Sequence, residues 1–136
     1  MQNLFIGKGN LADLPELKRV QGRDGEEFTV ANMRVMFARY RRDSEGNLTQ
    51  VDGFWRPVEI YGTKAEACAR HLRKGARVLV IGEERTFQAK RDDSDETEQV
   101  IKIVAEDVAL QLTRIESITF ATKPQAGEEE AQEDAP

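Results

Sequence analysis

Cysteine and histidine are almost missing from this chain: one of each, Cys68 and His71, in 136 residues. A lone cysteine excludes an internal disulfide and any cysteine-based zinc cage. An enzyme needs a constellation of reactive groups, and this inventory supplies none. A glycine-rich phosphate loop is absent too, because Gly7-Lys8-Gly9 is two glycines in a turn and not a G-x-G-x-x-G pattern. Aliphatic runs are short, so no segment is expected to span a membrane. Met1-Gln2-Asn3-Leu4 has no basic region leading into an apolar stretch, so no secretory signal is expected and the cytoplasm is the expected compartment. These absences point to a protein that is not an enzyme, with no cofactor and no metal. There are no internal repeats.

A chain of this length suits one folded domain plus a tail. The domain is expected over 1–120, and 121–136, which lacks an apolar pattern, reads as a disordered acidic tail. The net charge of −5 argues against a polyanionic partner until its distribution is read. The tail carries one base, Lys123, against five acids. Residues 92–98 hold five more acids and no base. The rest of the body is therefore net positive, and Arg34, Arg39, Arg41 and Arg42 fall within nine residues. A local patch matters more than the total for binding a polyanion. The usual fate of such arginines, a solvated strand face, is the competing reading.

Phe54 to Gly62 holds the only tryptophan and three of the nine aromatics. It is rich in aromatic and β-branched residues and ends on glycine, so it reads as a strand. Alternation puts Phe54, Arg56, Val58 and Ile60 on one face and Trp55, Pro57, Glu59 and Tyr61 on the other. The second face offers two flat rings with no aliphatic residue between them, a stacking platform for bases. An ordinary core strand with both rings inside fits the same pattern. Pro57 lacks an N–H, which favours an edge, a bulge or a break in the ladder.

In chain order, Asn3 to Gly7 reads as a short strand broken by Gly7 and Gly9, with Glu16 to Val20 as its continuation. Phe28 to Arg42 is the longest strand, with Ala31, Met33, Val35 and Phe37 toward the core and Asn32, Arg34, Met36, Tyr40 and Arg42 opposite. A loop is expected over Asp43 to Asp52. Thr63 to Lys74 reads as a helix, with a Thr63–Glu66 capping box and Gly75 as its stop. Cys68 lies on its apolar stripe, as a core residue would, and His71 lies off it. Arg77 to Ile81 is an apolar strand, Gly82 a bend or bulge, and Glu83 to Arg91 a polar extension. Residues 92–98 form an acidic hairpin loop. Gln99 to Ala105 returns as a strand, Val108, Leu110 and Leu112 continue it, and Ile115, Ile118 and Phe120 form a short addition.

One helix between the third and fourth of five strands matches the OB-fold, an all-β, partly open barrel that binds oligonucleotides, and a small α+β domain fits the same pattern. The quoted residues also occur in the order of a known family. Gly9-Asn10-Leu11 with Pro15-Glu16-Leu17, Val30-Ala31-Asn32, Trp55 to Gly62, Leu72 to Gly75 with Val78 and Val80, Arg85-Thr86, and Val104 to Val108 resemble the bacterial single-stranded DNA-binding protein family over about residues 3–112. The resemblance implies an OB-fold and sequence-tolerant single-stranded DNA binding in replication, recombination or repair. It also implies a homotetramer at the nucleoid, with replication or recombination proteins as further partners. Trp55 and Tyr61 match the family's stacking aromatics, and Tyr40 lies about one position from another. Where the family has an aromatic late in the fourth strand this chain has Ala89, and Phe87 on the same face is the candidate substitute. Phosphate contacts are expected from Arg34, Arg39, Arg41, Arg42 and Arg85. The acidic 92–98 loop and a tail ending Ala135-Pro136, without a bulky apolar tip, mark a divergent member. An OB module that anchors a protein through Trp55 and Tyr61, or one that binds RNA, are the alternatives.

Overall fold

The computed structural model describes residues 3–90 and 96–122. Six strands and one helix follow in the order β1 (Leu4–Leu11), β2 (Glu16–Gln21), β3 (Glu27–Arg42), β4 (Leu48–Tyr61), α1 (Thr63–His71), β5 (Arg77–Lys90) and β6 (Thr97–Leu110), then a 3₁₀ turn at Leu112–Arg114. Five strands close a ring in which β1 pairs with β5, β5 with β6, β6 with β4, β4 with β3 and β3 with β1. Two closures are short. The parallel β4–β6 contact is Val58↔Ile103 and Glu59↔Val104, and β1 meets β3 at Asn10↔Met36 and Leu11↔Val35. This is the expected OB-fold, as a partly open ring rather than a regular barrel.

The first expected strand is divided differently from its glycine pattern. β1 runs straight through Gly7 and Gly9, and the chain breaks after Leu11. β1 and β2 then follow one another along the same edge of β3. Gly9 is demanded by close approach, since a Cβ there would lie 2.6 Å from the Met36 carbonyl oxygen. Here glycine lets two backbones meet where the ring closes; it does not end a strand.

Alternation along β3 and β4 puts Ala31, Met33, Val35, Phe37, Val58 and Ile60 inside, joined by Val78 and Val80 of β5 and Ile103 of β6. The helix seals the ring with Ala65 and Cys68, and Leu72 just beyond it adds to the seal. Lys64 ties it to β6 through the Glu106 carbonyl and the Asp107 carboxylate, both at 2.8 Å. Burial pushes the Cys68 thiol up, away from the reactive thiolate. Gly82 is buried at a register shift in the β5–β6 ladder, as a bulge.

Several boundaries differ from the sequence expectation. Gly62, not Thr63, is the N-cap, at φ 76°, and no side chain caps the helix. The sharp exit from β4 needs a left-handed residue, which places Thr63 inside the first turn and leaves no capping box. The helix stops at His71, and Gly75 turns the chain four residues later, donating to the Leu11 carbonyl at 2.8 Å. The expected 43–52 loop shrinks to a turn between Arg42 and Leu48, because β3 and β4 continue as a hairpin beyond the core. Both faces of that extension are solvated, so no apolar alternation reports it. β6 ends at Leu110, and Leu112 sits in the 3₁₀ turn. Residues 115–120 form no strand, and Phe120 is exposed. Most of the expected acidic loop (residues 92–95) and residues 123–136 of the expected tail lie outside the described residues.

Candidate nucleic-acid interface

The β3–β4 register decides which side chains share a face. Met36 pairs with Trp55, Arg34 with Pro57, Asn32 with Glu59 and Val30 with Tyr61. Side chains of directly opposed residues point the same way. Trp55, Pro57, Glu59 and Tyr61 thus lie opposite the core-facing Val58 and Ile60, as alternation requires. Pro57 costs the β3 ladder nothing, because Arg34 turns its carbonyl away from β4 to accept the Ala12 N–H at 2.9 Å.

The four expected rings, Trp55, Tyr61, Tyr40 and Phe87, are all half-exposed, between 38 and 47 %. Each has a polar or cationic neighbour. The Arg34 guanidinium lies 5.0 Å from the Trp55 ring centroid and 3.7 Å from an Asp13 oxygen. Arg77 lies 5.6 Å from the Tyr40 ring and donates to Asn10 Oδ1 at 2.8 Å. Asn10 is itself opposite Met36, so the ladder connects Trp55 to the Arg77–Tyr40 pair across β1. Lys102, opposite Arg85 on β6, reaches to 5.1 Å from the Phe87 ring. Its Nζ is 3.9 Å from Glu59 Oε1, and Tyr61 donates its hydroxyl to Glu59 Oε2 at 3.1 Å. Tyr61 also packs on Phe28 at 5.7 Å. The Tyr61 hydroxyl is held above the ordinary tyrosine range, first by burial and then by the Glu59 charge and hydrogen bond, with Arg85 pulling the other way.

The arginines do not form one patch. Arg34 stands on the face of the rings. Arg39 stands on the other, with Phe37, Phe54 and Asp52. It grips Asp52 bidentately, at 2.6 and 3.1 Å. That hydrogen bond raises Arg39 and lowers Asp52 from their ordinary values. Arg41 and Arg42 lie past the Arg39/Tyr40 register shift, at the exposed end of the hairpin, where Arg42 donates to the Gly46 carbonyl at 2.9 Å. Arg85 leans on Glu83 at 3.1 Å. Arg77, Lys102, Phe28 and Glu59 join the surface without having been singled out as site residues. Glu59 was on the ring face by alternation but carried no role there, while for Arg77, Lys102 and Phe28 the strands were legible but not which strand lies beside which. Among the described residues no three His, Cys, Asp or Glu converge on a metal-sized site, and no helix is long and apolar enough to cross a membrane.

Solved structures with the same fold include the small single-stranded DNA-binding protein from Streptomyces coelicolor. It is 19 % identical with a TM-score of 0.67, covering 85 % of this chain and 100 % of that one. A Plasmodium falciparum SSB complex with ssDNA is 21 % identical with a TM-score of 0.61, covering 82 % and 96 %. A deletion mutant of the single-stranded DNA binding protein from Thermus aquaticus is 20 % identical with a TM-score of 0.58, covering 82 % and 51 %. The model of the single-strand binding protein family matches residues 1–111, most of the chain, and on that match this protein belongs to the single-strand binding protein family.

Proposed function

We propose that this protein binds single-stranded DNA with broad sequence tolerance, stacking bases on its exposed rings and holding phosphates with neighbouring cations. The observation that carries the reading is the shared face of Trp55 and Tyr61, half-exposed and bordered by Arg34 and Lys102. Every base has a π-face, so stacking is sequence-tolerant. Tyr40 and Phe87 extend the platform at its two ends. Arg34, Arg41, Arg42 and Arg85 are the proposed phosphate contacts, and Arg39 is the weakest of the expected set because Asp52 neutralises it on the opposite face. Protection of single strands in replication, recombination or repair follows from such binding. Titrating Trp55 fluorescence with oligo-dT, oligo-rU and duplex DNA tests it. Quenching by oligo-dT at much lower concentration than by duplex is expected. Equal response to duplex, or none to any strand, overturns it, and preference for oligo-rU moves the reading to RNA.

The protein also assembles with itself in this reading. Leu4 and Ile6 are exposed on β1, and between Leu4 and Gly9 that strand pairs only with β5 among the described residues. A half-paired apolar edge invites a second chain. Light scattering at micromolar concentration is expected to give an oligomer, a tetramer by family resemblance, and a monomer refutes it.

A further inference from the structure

We propose that Glu59 turns the stacking surface into a reader of base edges, favouring bases that present amino and imino donors, guanine first, over thymine. The proposal rests on the stacking reading above and deepens it. Glu59 lies on the ring face, two residues before Tyr61 and four after Trp55. That puts it about 7 Å along the strand from Tyr61. An acid on this surface works against phosphate binding, since a carboxylate repels phosphate.

The carboxylate is also held in place. Oε2 accepts the Tyr61 hydroxyl at 3.1 Å, Oε1 faces Lys102 Nζ at 3.9 Å, and the side chain is 15 % exposed. Lys102 in turn sits by the Phe87 ring. Glu59 therefore sits between two of the proposed stacking rings, at the edge of one of them. A carboxylate has about four lone-pair positions. Tyr61 donates to Oε2 and Lys102 stands 3.9 Å from Oε1, beyond hydrogen-bond distance, which leaves acceptor capacity for a base lying on Tyr61.

Unpaired bases keep their Watson–Crick edges available. Guanine carries N1–H and the N2 amine side by side, matching two carboxylate oxygens. Cytosine and adenine each bring one amine. Thymine brings one N3–H flanked by two carbonyl oxygens that a carboxylate repels. The preference should therefore fall from guanine through cytosine and adenine to thymine.

Alternating d(TG) and d(TI) oligonucleotides, where inosine lacks only the N2 amine, isolate this contact. Both affinities are read from Trp55 fluorescence. Wild type is expected to bind d(TG) about tenfold more tightly than d(TI), a bidentate base contact's usual discrimination. Glu59→Gln keeps an acceptor for Tyr61 but loses the charge, and the ratio should fall toward one. Removing a charge near phosphates raises affinity for both strands alike, so the ratio, not either affinity, is diagnostic. Tyr61→Phe keeps the ring and releases Oε2, so the d(TG) preference should persist, and its disappearance counts against the proposal. An equal ratio in wild type and Glu59→Gln, with both strands still bound, overturns the role of Glu59 and leaves stacking intact. No binding of either strand by wild type overturns the stacking reading itself.

Discussion

Replacing Trp55 by alanine separates stacking from charge. Stacking of a base on an aromatic ring is worth about 1–3 kcal/mol by alanine substitution, or roughly 5- to 160-fold in Kd. The substitution leaves Arg34 in place, 5.0 Å from where the ring was centred, and its attraction for phosphate survives. The affinity should therefore drop while the slope of log K against log salt stays the same. The fold must be checked at the same time. Trp55 is 46 % exposed. Losing the buried half of its surface costs at most about 3 kcal/mol of stability. A urea melt of the variant, with Trp55→Phe as the ring-retaining control, separates weaker binding from partial unfolding. Trp55 is the only tryptophan, so the variant has no tryptophan signal to follow. Anisotropy of a fluorescein-labelled oligo-dT replaces it. A folded Trp55→Ala protein with Kd within twofold of wild type refutes the platform, and a flattened salt slope refutes the separation of roles.

Arg34→Ala, Arg41→Ala and Arg42→Ala should each flatten the salt slope by about 0.7 where the side chain contacts a phosphate of a single strand. Arg39→Ala, on the opposite face and paired with Asp52, should leave it unchanged, and the same titrations check both. Gly82→Ala should cost about 1–3 kcal/mol in a urea melt, because its Cβ would lie 2.7 Å from the Ala105 Cα, a backbone atom that cannot step aside. Glu59→Gln should lower the Tyr61 ionisation toward the ordinary tyrosine value, read by ring resonances across alkaline pH, since the Glu59 charge helps to hold the hydroxyl protonated. A folded-state value raised in this way contributes stability that is fully present at neutral pH and lost as pH rises through the Tyr61 ionisation, so the variant should lose less stability on alkaline titration. Ending the chain after Thr122 removes a net four negative charges; binding to oligo-dT should strengthen modestly at low salt, and the gain should shrink as salt screens it.

Local periodicity by itself determined much of this protein. The burial of Ala31, Met33, Val35 and Phe37, the separation of Trp55 and Tyr61 from Val58 and Ile60, the helix that buries Cys68 and the bulge at Gly82 were legible because each depends on residues a few positions apart. Arg39 was not assigned to the Phe37 face from the sequence, where its clustering with the other arginines suggested a shared role. Only the tertiary structure decided how far the β3–β4 hairpin reaches. Alternation records burial, and that extension has solvent on both sides. Only the tertiary structure joined Lys102 to Glu59 and Arg77 to Tyr40, across strands 43 and 37 positions apart in the chain. Those contacts depend on register between strands brought together when the ring closes, and no local pattern encodes which distant strand becomes a neighbour. Trp55, Tyr61 and Glu59 were therefore readable from their own strand, while the cations Arg77 and Lys102 beside the rings were placed by closure of the ring.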